Sequence, residues 1–252
     1  MKLGGSLITN KQSDTPKYHN DIMRKIANII SESNKKIIIV HGVGSYGHPI
    51  AKKYNIDKGI DETSEQKEAI IKARNQIRDL NKLLCSKIME KGVKCDSIIP
   101  SETMELNIHR ELEKIPKKKF DKILSKNKIA ITFGDIVNTK EGNVSILSGD
   151  TLLLKLAQVY KPKRTYFIMD YPGVVKGSLN SKKIKIYKKI DSAFIKSISI
   201  TEHKNRPDVT GGLLNKIKCA LEISKISECW ISGLDNLESC INGSPIGTMV
   251  TI

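Results

Sequence analysis

Apolar residues follow two spacings that alternate along the chain. In residues 18–33, Ile22, Ile26, Ile29 and Ile30 fall three and four positions apart, which predicts an amphipathic helix. "KKIIIV" (35–40) is short, β-branched and wholly apolar after its lysines, as a buried parallel strand requires. The longest helical pattern covers residues 63–91, with Ile70, Ala73, Ile77, Leu80, Leu84 and Ile88 in register and Gly92 as its stop. "KLGGSLIT" reads as a strand entering a glycine turn. "VKCDSII" and "KIAITF" read as strands, and "DIVNTKEGNVSIL" as a hairpin turning at Glu141–Gly142. Residues 150–160 and 212–225 are predicted helices, and "RTYFIM", "ECWIS" and "GTMVTI" predicted strands.

Strands separated by helices imply an α/β fold: a three-layer αβα sandwich around a mainly parallel sheet. A soft boundary at "YKPKR" (160–164) divides the chain into an N-terminal lobe, about 1–160, and a C-terminal lobe, about 161–252. No repeat or long low-complexity segment interrupts this order. Apolar runs stay far below the ~20 residues needed to span a bilayer, and "MKLGGSLITNK" has no signal-peptide h-region. A membrane partner is not expected. Five spread cysteines without C-x-x-C read as reduced cytoplasmic thiols, with no metal site among them.

The net charge of +16, from 43 Lys+Arg against 27 Asp+Glu, raises the question of anionic partners. Runs such as "KIPKKKF" and "SKKIKIYKK" lack interleaved aromatics, and aromatics make up only 5% of residues. Stacking platforms for nucleic acid are therefore not expected, and most of the lysines read as solvated faces.

Chemistry concentrates in glycine-rich turns. "HGVGSYGH" (41–48) satisfies G-x-G-x-x-G between a strand and a helix, yet the second-strand acid of a dinucleotide site has no counterpart: Asp61 is at about the right offset, but the segment before it is polar. "KLGGSLITNK" (2–11) sets adjacent glycines between two lysines, so backbone N–H groups can approach an anion unobstructed. "DVTGGLLNK" (208–216) reads equally as a Thr210-capped helix with a surface lysine, or as a helix N-terminus and Lys216 converging on phosphate. Asp150, in "SGD", is either a first-turn helix acid or a group that orients lysines or metal. "MDYPGVV" sets Asp170 just after a strand and before a Pro-Gly turn. No G-x-x-x-x-G-K-[ST] and no protein-kinase motif set is present.

In this order, K-L-G-G-S, H-G-x-G-S-x-G-H, S-G-D, an Asp-turn-Gly-Val and D-V-T-G-G-x-x-x-K resemble the amino acid kinase superfamily, across nearly the whole chain as one domain, 1–252. Within it the chain is most similar to isopentenyl phosphate kinases, because of His48. The resemblance implies ATP-dependent phosphorylation of isopentenyl phosphate to isopentenyl diphosphate with Mg²⁺, in a cytoplasmic homodimer. It implies that Lys2, Gly4, Gly5 and Ser6 hold ATP phosphates, that Lys11 stabilises the transition state, and that Lys216 serves the transferring group. Gly44, Asp170, Gly173, Lys176 and Gly212 would complete the ATP site. Val43, His48 and Gly149 would contact the substrate phosphate, and Asp150 would organise the lysines.

Phosphoryl transfer between two anions is mainly a matter of charge and alignment, and the acceptor oxygen needs no strong base, so His48 is expected to bind and align. Its alternative is a loop histidine capping the following helix. Ile70, Ile71, Ile77 and Leu80 are candidate walls for an apolar substrate tail. Three positions depart from the family pattern: Val43 where glycine is usual, Tyr46 where phenylalanine is usual, and Pro172 where aspartate is usual. Val43 must therefore keep an ordinary φ, and Pro172 removes an N–H and a carboxylate near the nucleotide. The first strand has almost nothing before Lys2, so a further N-terminal residue or two is expected ahead of Met1. Rival readings are a related kinase acting on a phosphonate such as fosfomycin, and a non-catalytic nucleic-acid-binding or sensor protein on the same fold.

Overall fold

"KIAITF" and "RTYFIM" become strands whose residues are almost all buried, the condition of strands covered on both faces. The computed structural model describes residues 1–60, 63–177, 184–195 and 211–252. They fall into two compact units, Met1–Leu152 and Leu153–Ile252.

The first unit contains strands β1 (Lys2–Leu3), β2 (Ile38–His41), β3 (Cys95–Ser97), β4 (Glu105–Leu106), β5 (Ile129–Phe133), β6 (Asp135–Thr139) and β7 (Val144–Leu147). Its helices are α1 (Gly5–Ile8), α2 (Asn20–Ser31), α3 (His48–Lys53), α4 (Ser64–Met89), α5 (Pro100–Thr103), α6 (Lys117–Leu124) and the start of α7 (Gly149–Tyr160). Strands β1, β2, β5 and β3 pair in that order, all parallel. Leu3 pairs with His41 and His41 with Phe133, so three strands end level. The segments that leave them begin with Gly4, Gly42 and Gly134. In a parallel sheet this carboxyl edge is where ligands bind.

Strands β4, β6 and β7 form a small second sheet, with β6 and β7 as the predicted hairpin. Ala51, Ile56, Ile70, Ala73, Ile136 and Val144 make an apolar cluster that joins this hairpin to α3 and α4. Helix α4 begins at a Thr63 cap, where the hydroxyl accepts from the Gln66 N–H at 3.3 Å. It ends at Met89, and Gly92 follows at φ +78°.

The second unit contains β8 (Arg164–Met169), β9 (Val175–Lys176), β10 (Lys185–Ile186), β11 (Lys189–Ile190), α8 (Gly211–Ser224), β12 (Glu228–Gly233), α9 (Leu237–Asn242) and β13 (Thr248–Val250). β12 runs parallel to β8 and antiparallel to β13, and β11 is parallel to β13. Helix α8 packs on β12 and β13. The α/β class with mainly parallel strands is as expected. Thr210, the expected cap of α8, and Asp61 lie outside the described residues.

Candidate active site

The glycines of the first two motifs face one another. A Cβ on Gly5 would stand 2.6 Å from the Gly44 backbone nitrogen, and one on Gly42 would press on Gly5. Two backbones cross there in contact, and only hydrogen side chains allow it. Gly44 has a second reason to be glycine: its φ is +49°, and a Cβ would collide with the Thr9 hydroxyl. Val43 is different. Its φ of −90° suits any L-residue, so the departure from the family's glycine carries no backbone strain. Its side chain instead fills space against Gly47 and Gly134.

The third strand exit completes the cradle. A Cβ on Gly134 would stand 3.1 Å from the Gly149 nitrogen, and one on Gly149 would stand 2.9 Å from Cε of Lys2. Gly149 thus leaves the corridor through which Lys2 reaches Asp150. The Lys2 Nζ to Asp150 Oδ1 distance is 2.8 Å, with the two side chains only 8% and 10% exposed. Asp150 lies in the first turn of α7, where the helix dipole favours a carboxylate. It therefore holds Lys2.

The two histidines of "HGVGSYGH" do different work. His41 is fully buried, stacked on Phe133 at 5.1 Å, with Nδ1 3.0 Å from the Gly42 carbonyl and Nε2 3.3 Å from the Asn81 side-chain amide. Burial, assisted by the nearby Lys2 charge, pushes its pKa down to about 4 against two hydrogen bonds that raise it. The ring is neutral at pH 7, and Nδ1 must donate to the carbonyl. His41 is a support under the glycine loop. The unfolded chain binds its proton near pH 6.5 and the folded chain near 4, so the folded state gains stability as pH rises through that window. Acidification from pH 6.5 to 4.5 is expected to remove stability on the order of 2 kcal/mol. A His41→Asn variant should show a flatter profile of urea midpoint against pH, and an equally steep profile would assign the acid sensitivity to other groups.

His48 is the first residue of α3, is exposed, and makes no side-chain capping bond, so the helix-cap alternative is not what the structure shows. Crowding by the surrounding protein lowers its pKa, and the charges of Lys2 and Lys11 lower it further. The structure thus brings His48, Lys2 and Lys11 into one electrostatic neighbourhood. Lys11 is exposed in a turn closed by the Asn10 N–H to Lys17 carbonyl bond of 2.8 Å and by the Thr9–Tyr18 bridge. Of the candidate tail walls, Ile71 is 59% exposed, whereas Ile70, Ile77 and Leu80 are core; Ile77 also reaches beneath Gly47.

In the second unit, Asp170 is exposed just beyond β8. Gly173 is needed by the protein itself, since a Cβ would stand 2.6 Å from Thr248 Oγ1, which accepts from the Val174 N–H at 2.8 Å. Lys176 and Lys216 lie over aromatic rings, Tyr187 at 5.7 Å and Phe167 at 5.5 Å from the ring centres. Gly212 is exposed in the first turn of α8, and a Cβ there would meet nothing among the described residues. Pro172 belongs to a turn that packs on Gly233, where a Cβ would stand 2.9 Å from Pro172 Cα.

Thr9, Asn81 and Gly134 had no signal in the sequence, and Ser45 appeared only as a letter of its motif. Their contacts are long-range or depend on the meeting of separate strand ends.

Level strand ends that emit glycine loops, with a buried lysine–aspartate pair between them, define an α/β protein with a candidate ligand site at the carboxyl edge of its sheet. The match to known families is specific: residues 1–231 fit the profile of the amino acid kinase family. The chain belongs to that family. It is 27% identical to an isopentenyl phosphate kinase of Methanothermobacter thermautotrophicus, covering 100% of this chain and 98% of the relative. It is also 27% identical to an acetylglutamate kinase of Endomicrobium trichonymphae, covering 96% of both chains. A solved isopentenyl phosphate kinase structure superposes with a TM-score of 0.83 at 25% identity, over 99% of this chain and 98% of that one.

Proposed function

We propose that the protein transfers the γ-phosphoryl group of ATP to isopentenyl phosphate, forming isopentenyl diphosphate and ADP. The observation that carries this proposal is the cradle of crossing glycine loops around the buried Lys2–Asp150 pair, with the charges of Lys2 and Lys11 felt at His48. The full-length similarity to isopentenyl phosphate kinases supports it. An acetylglutamate kinase would recognise a carboxylate acceptor. Two lysines and an imidazole donor suit a phosphate monoester better, because its charge is greater.

In this reading the Gly4–Ser6 and Gly42–Gly44 loops present N–H groups to phosphate oxygens, and Val43 (through its backbone), His48 and Gly149 hold the acceptor phosphate. A phosphate oxygen of the acceptor attacks the γ-phosphorus, the bond to the β-phosphate bridging oxygen breaks, and ADP leaves with that electron pair. Lys2 and Lys11 offset the charge gathered at the transferring group. Asp170, Gly173, Lys176, Gly212 and Lys216 are assigned to the nucleotide, with Lys216 on the transferring group. The lobe of about 1–160 would thus serve the acceptor and that of about 161–252 the nucleotide.

No group of three His, Cys, Asp or Glu residues fit to hold a metal occurs among the described residues. Mg²⁺ belongs to this proposal as the ion the triphosphate carries, where it would supply charge neutralisation. A homodimer in the cytoplasm belongs to the same proposal. The five cysteines are buried thiols and suit a reducing compartment. No helix among the described residues is long and apolar enough to cross a membrane.

The test is ADP release with Mg·ATP across a panel of isopentenyl phosphate, dimethylallyl phosphate, fosfomycin and N-acetylglutamate. Isopentenyl phosphate is expected to give the highest kcat/KM. Preference for fosfomycin or N-acetylglutamate would transfer the chain to another branch of its family.

A further inference from the structure

We infer that the Thr9 hydroxyl is a positioning latch that sets the donor-phosphate loop, the acceptor-phosphate loop and the Lys11 turn in register. Thr9 is fully buried at the end of α1. Its hydroxyl donates to the Gly5 carbonyl at 2.8 Å and accepts from the Ser45 N–H at 3.0 Å. A hydroxyl has one proton to give, so these two bonds are complementary. One oxygen atom thereby ties the K-L-G-G-S loop to the H-G-V-G-S-Y-G-H loop, across 36 residues of sequence.

The tie continues to Lys11. The Ser45 side chain donates to the Lys17 carbonyl and accepts from the Lys17 N–H, each at 3.2 Å. Thr9 itself bridges Tyr18. The turn that carries Lys11 is thus pinned at its base, from both sides, by the two residues that join the loops. Gly44 lies directly over the Thr9 hydroxyl, which leaves the bridge no room to slide.

The Thr9 hydroxyl is itself assigned to neither substrate nor nucleotide, whereas its neighbours Gly5 and Gly44 are, so Thr9 acts through the loops. The inference rests on the kinase reading for its consequence in turnover, although the bridge itself is independent of it. Misplacement of reacting groups by about 1 Å costs on the order of 10²-fold in rate. Thr9→Val, which keeps the shape and removes the hydroxyl, is expected to lower kcat at least about tenfold while both KM values move less than about threefold. Thr9→Ala, a second hydroxyl-free variant, should behave alike, and Thr9→Ser should stay within about threefold of the wild type.

The Ser45 amide gives a readout that does not depend on turnover. Its hydrogen exchange, followed by NMR, should accelerate in Thr9→Val and Thr9→Ala and stay protected in Thr9→Ser. The latch is overturned if a folded Thr9→Val enzyme keeps kcat within about twofold, if Thr9→Ser is as slow as Thr9→Val, or if Ser45 exchange is unchanged. Should the wild type phosphorylate no member of the panel, the kinase reading fails, and Ser45 exchange alone then decides the latch.

Discussion

Lys2→Met is expected to abolish most turnover and to weaken the fold together. The Lys2 ammonium is held at 2.8 Å from Asp150 in a nearly closed space. Removing it takes away a cation proposed to face the transferring phosphoryl group, and the loss of such a preorganised group typically costs about 10²–10³-fold in kcat. It also takes away the ammonium paired with the buried Asp150 carboxylate beside the α7 N-terminus. Breaking a buried pair from one side costs about 3–5 kcal/mol.

The two losses are separable. In Lys2→Met/Asp150→Leu both charges are gone and apolar side chains fill the space. Replacement of a buried pair by apolar residues is often neutral or stabilising. The double variant should therefore recover most of the urea midpoint that Lys2→Met loses, and recover no ADP release. Recovery of activity along with stability would show that Lys2 serves only the fold. Retention of near-wild-type kcat by Lys2→Met alone would remove it from the chemistry altogether.

Legibility in the sequence followed the range of the interactions. The long strands were legible because their apolar runs are bounded by turns, as in "KIAITF" and "RTYFIM", and α4 because its stripe persists for many turns. The two-residue strands β4, β9, β10 and β11 have no periodicity to read. Helix α6 was hidden inside "KIPKKKF", where the lysines do face water but Phe120 is fully buried and Ile123 nearly so.

In the candidate site, glycine clusters and lysines stood out as motifs. What the sequence could not display is the reason for each glycine. Gly5 and Gly42 serve the crossing of two backbones, Gly149 the passage of Lys2, and Gly173 the packing of Thr248. The same holds for Thr9 and Asn81, whose partners are chosen by the meeting of strand ends. His41 and His48 look alike in "HGVGSYGH". Only burial separates the neutral support from the ring at the mouth.

For His48 the pKa lowering sharpens what its substitution should show. Neighbouring protein screens part of the otherwise exposed ring and two lysine charges act on it, so its proton is held only below the ordinary 6.5. At pH 7 to 8.5 it is neutral and can offer phosphate one N–H. A hydrogen bond to a charged group is worth about 1.5–3 kcal/mol, so His48→Ala should lower kcat/KM for isopentenyl phosphate by about 10- to 100-fold. Because the ring is exposed and caps nothing, the urea midpoint should barely move. His48→Gln, which keeps a neutral N–H, should recover part of the loss. Dividing the wild-type pH profile by that of His48→Ala cancels the ionisation of the substrate and leaves the imidazole. That ratio is expected to be flat from pH 7 to 8.5 and to change only below 6.5, as the ring gains its proton and becomes a third cation beside Lys2 and Lys11. A ratio that instead falls steadily between pH 6.5 and 8 would mean that the protonated ring binds phosphate at neutral pH. The lysines would then not dominate its environment.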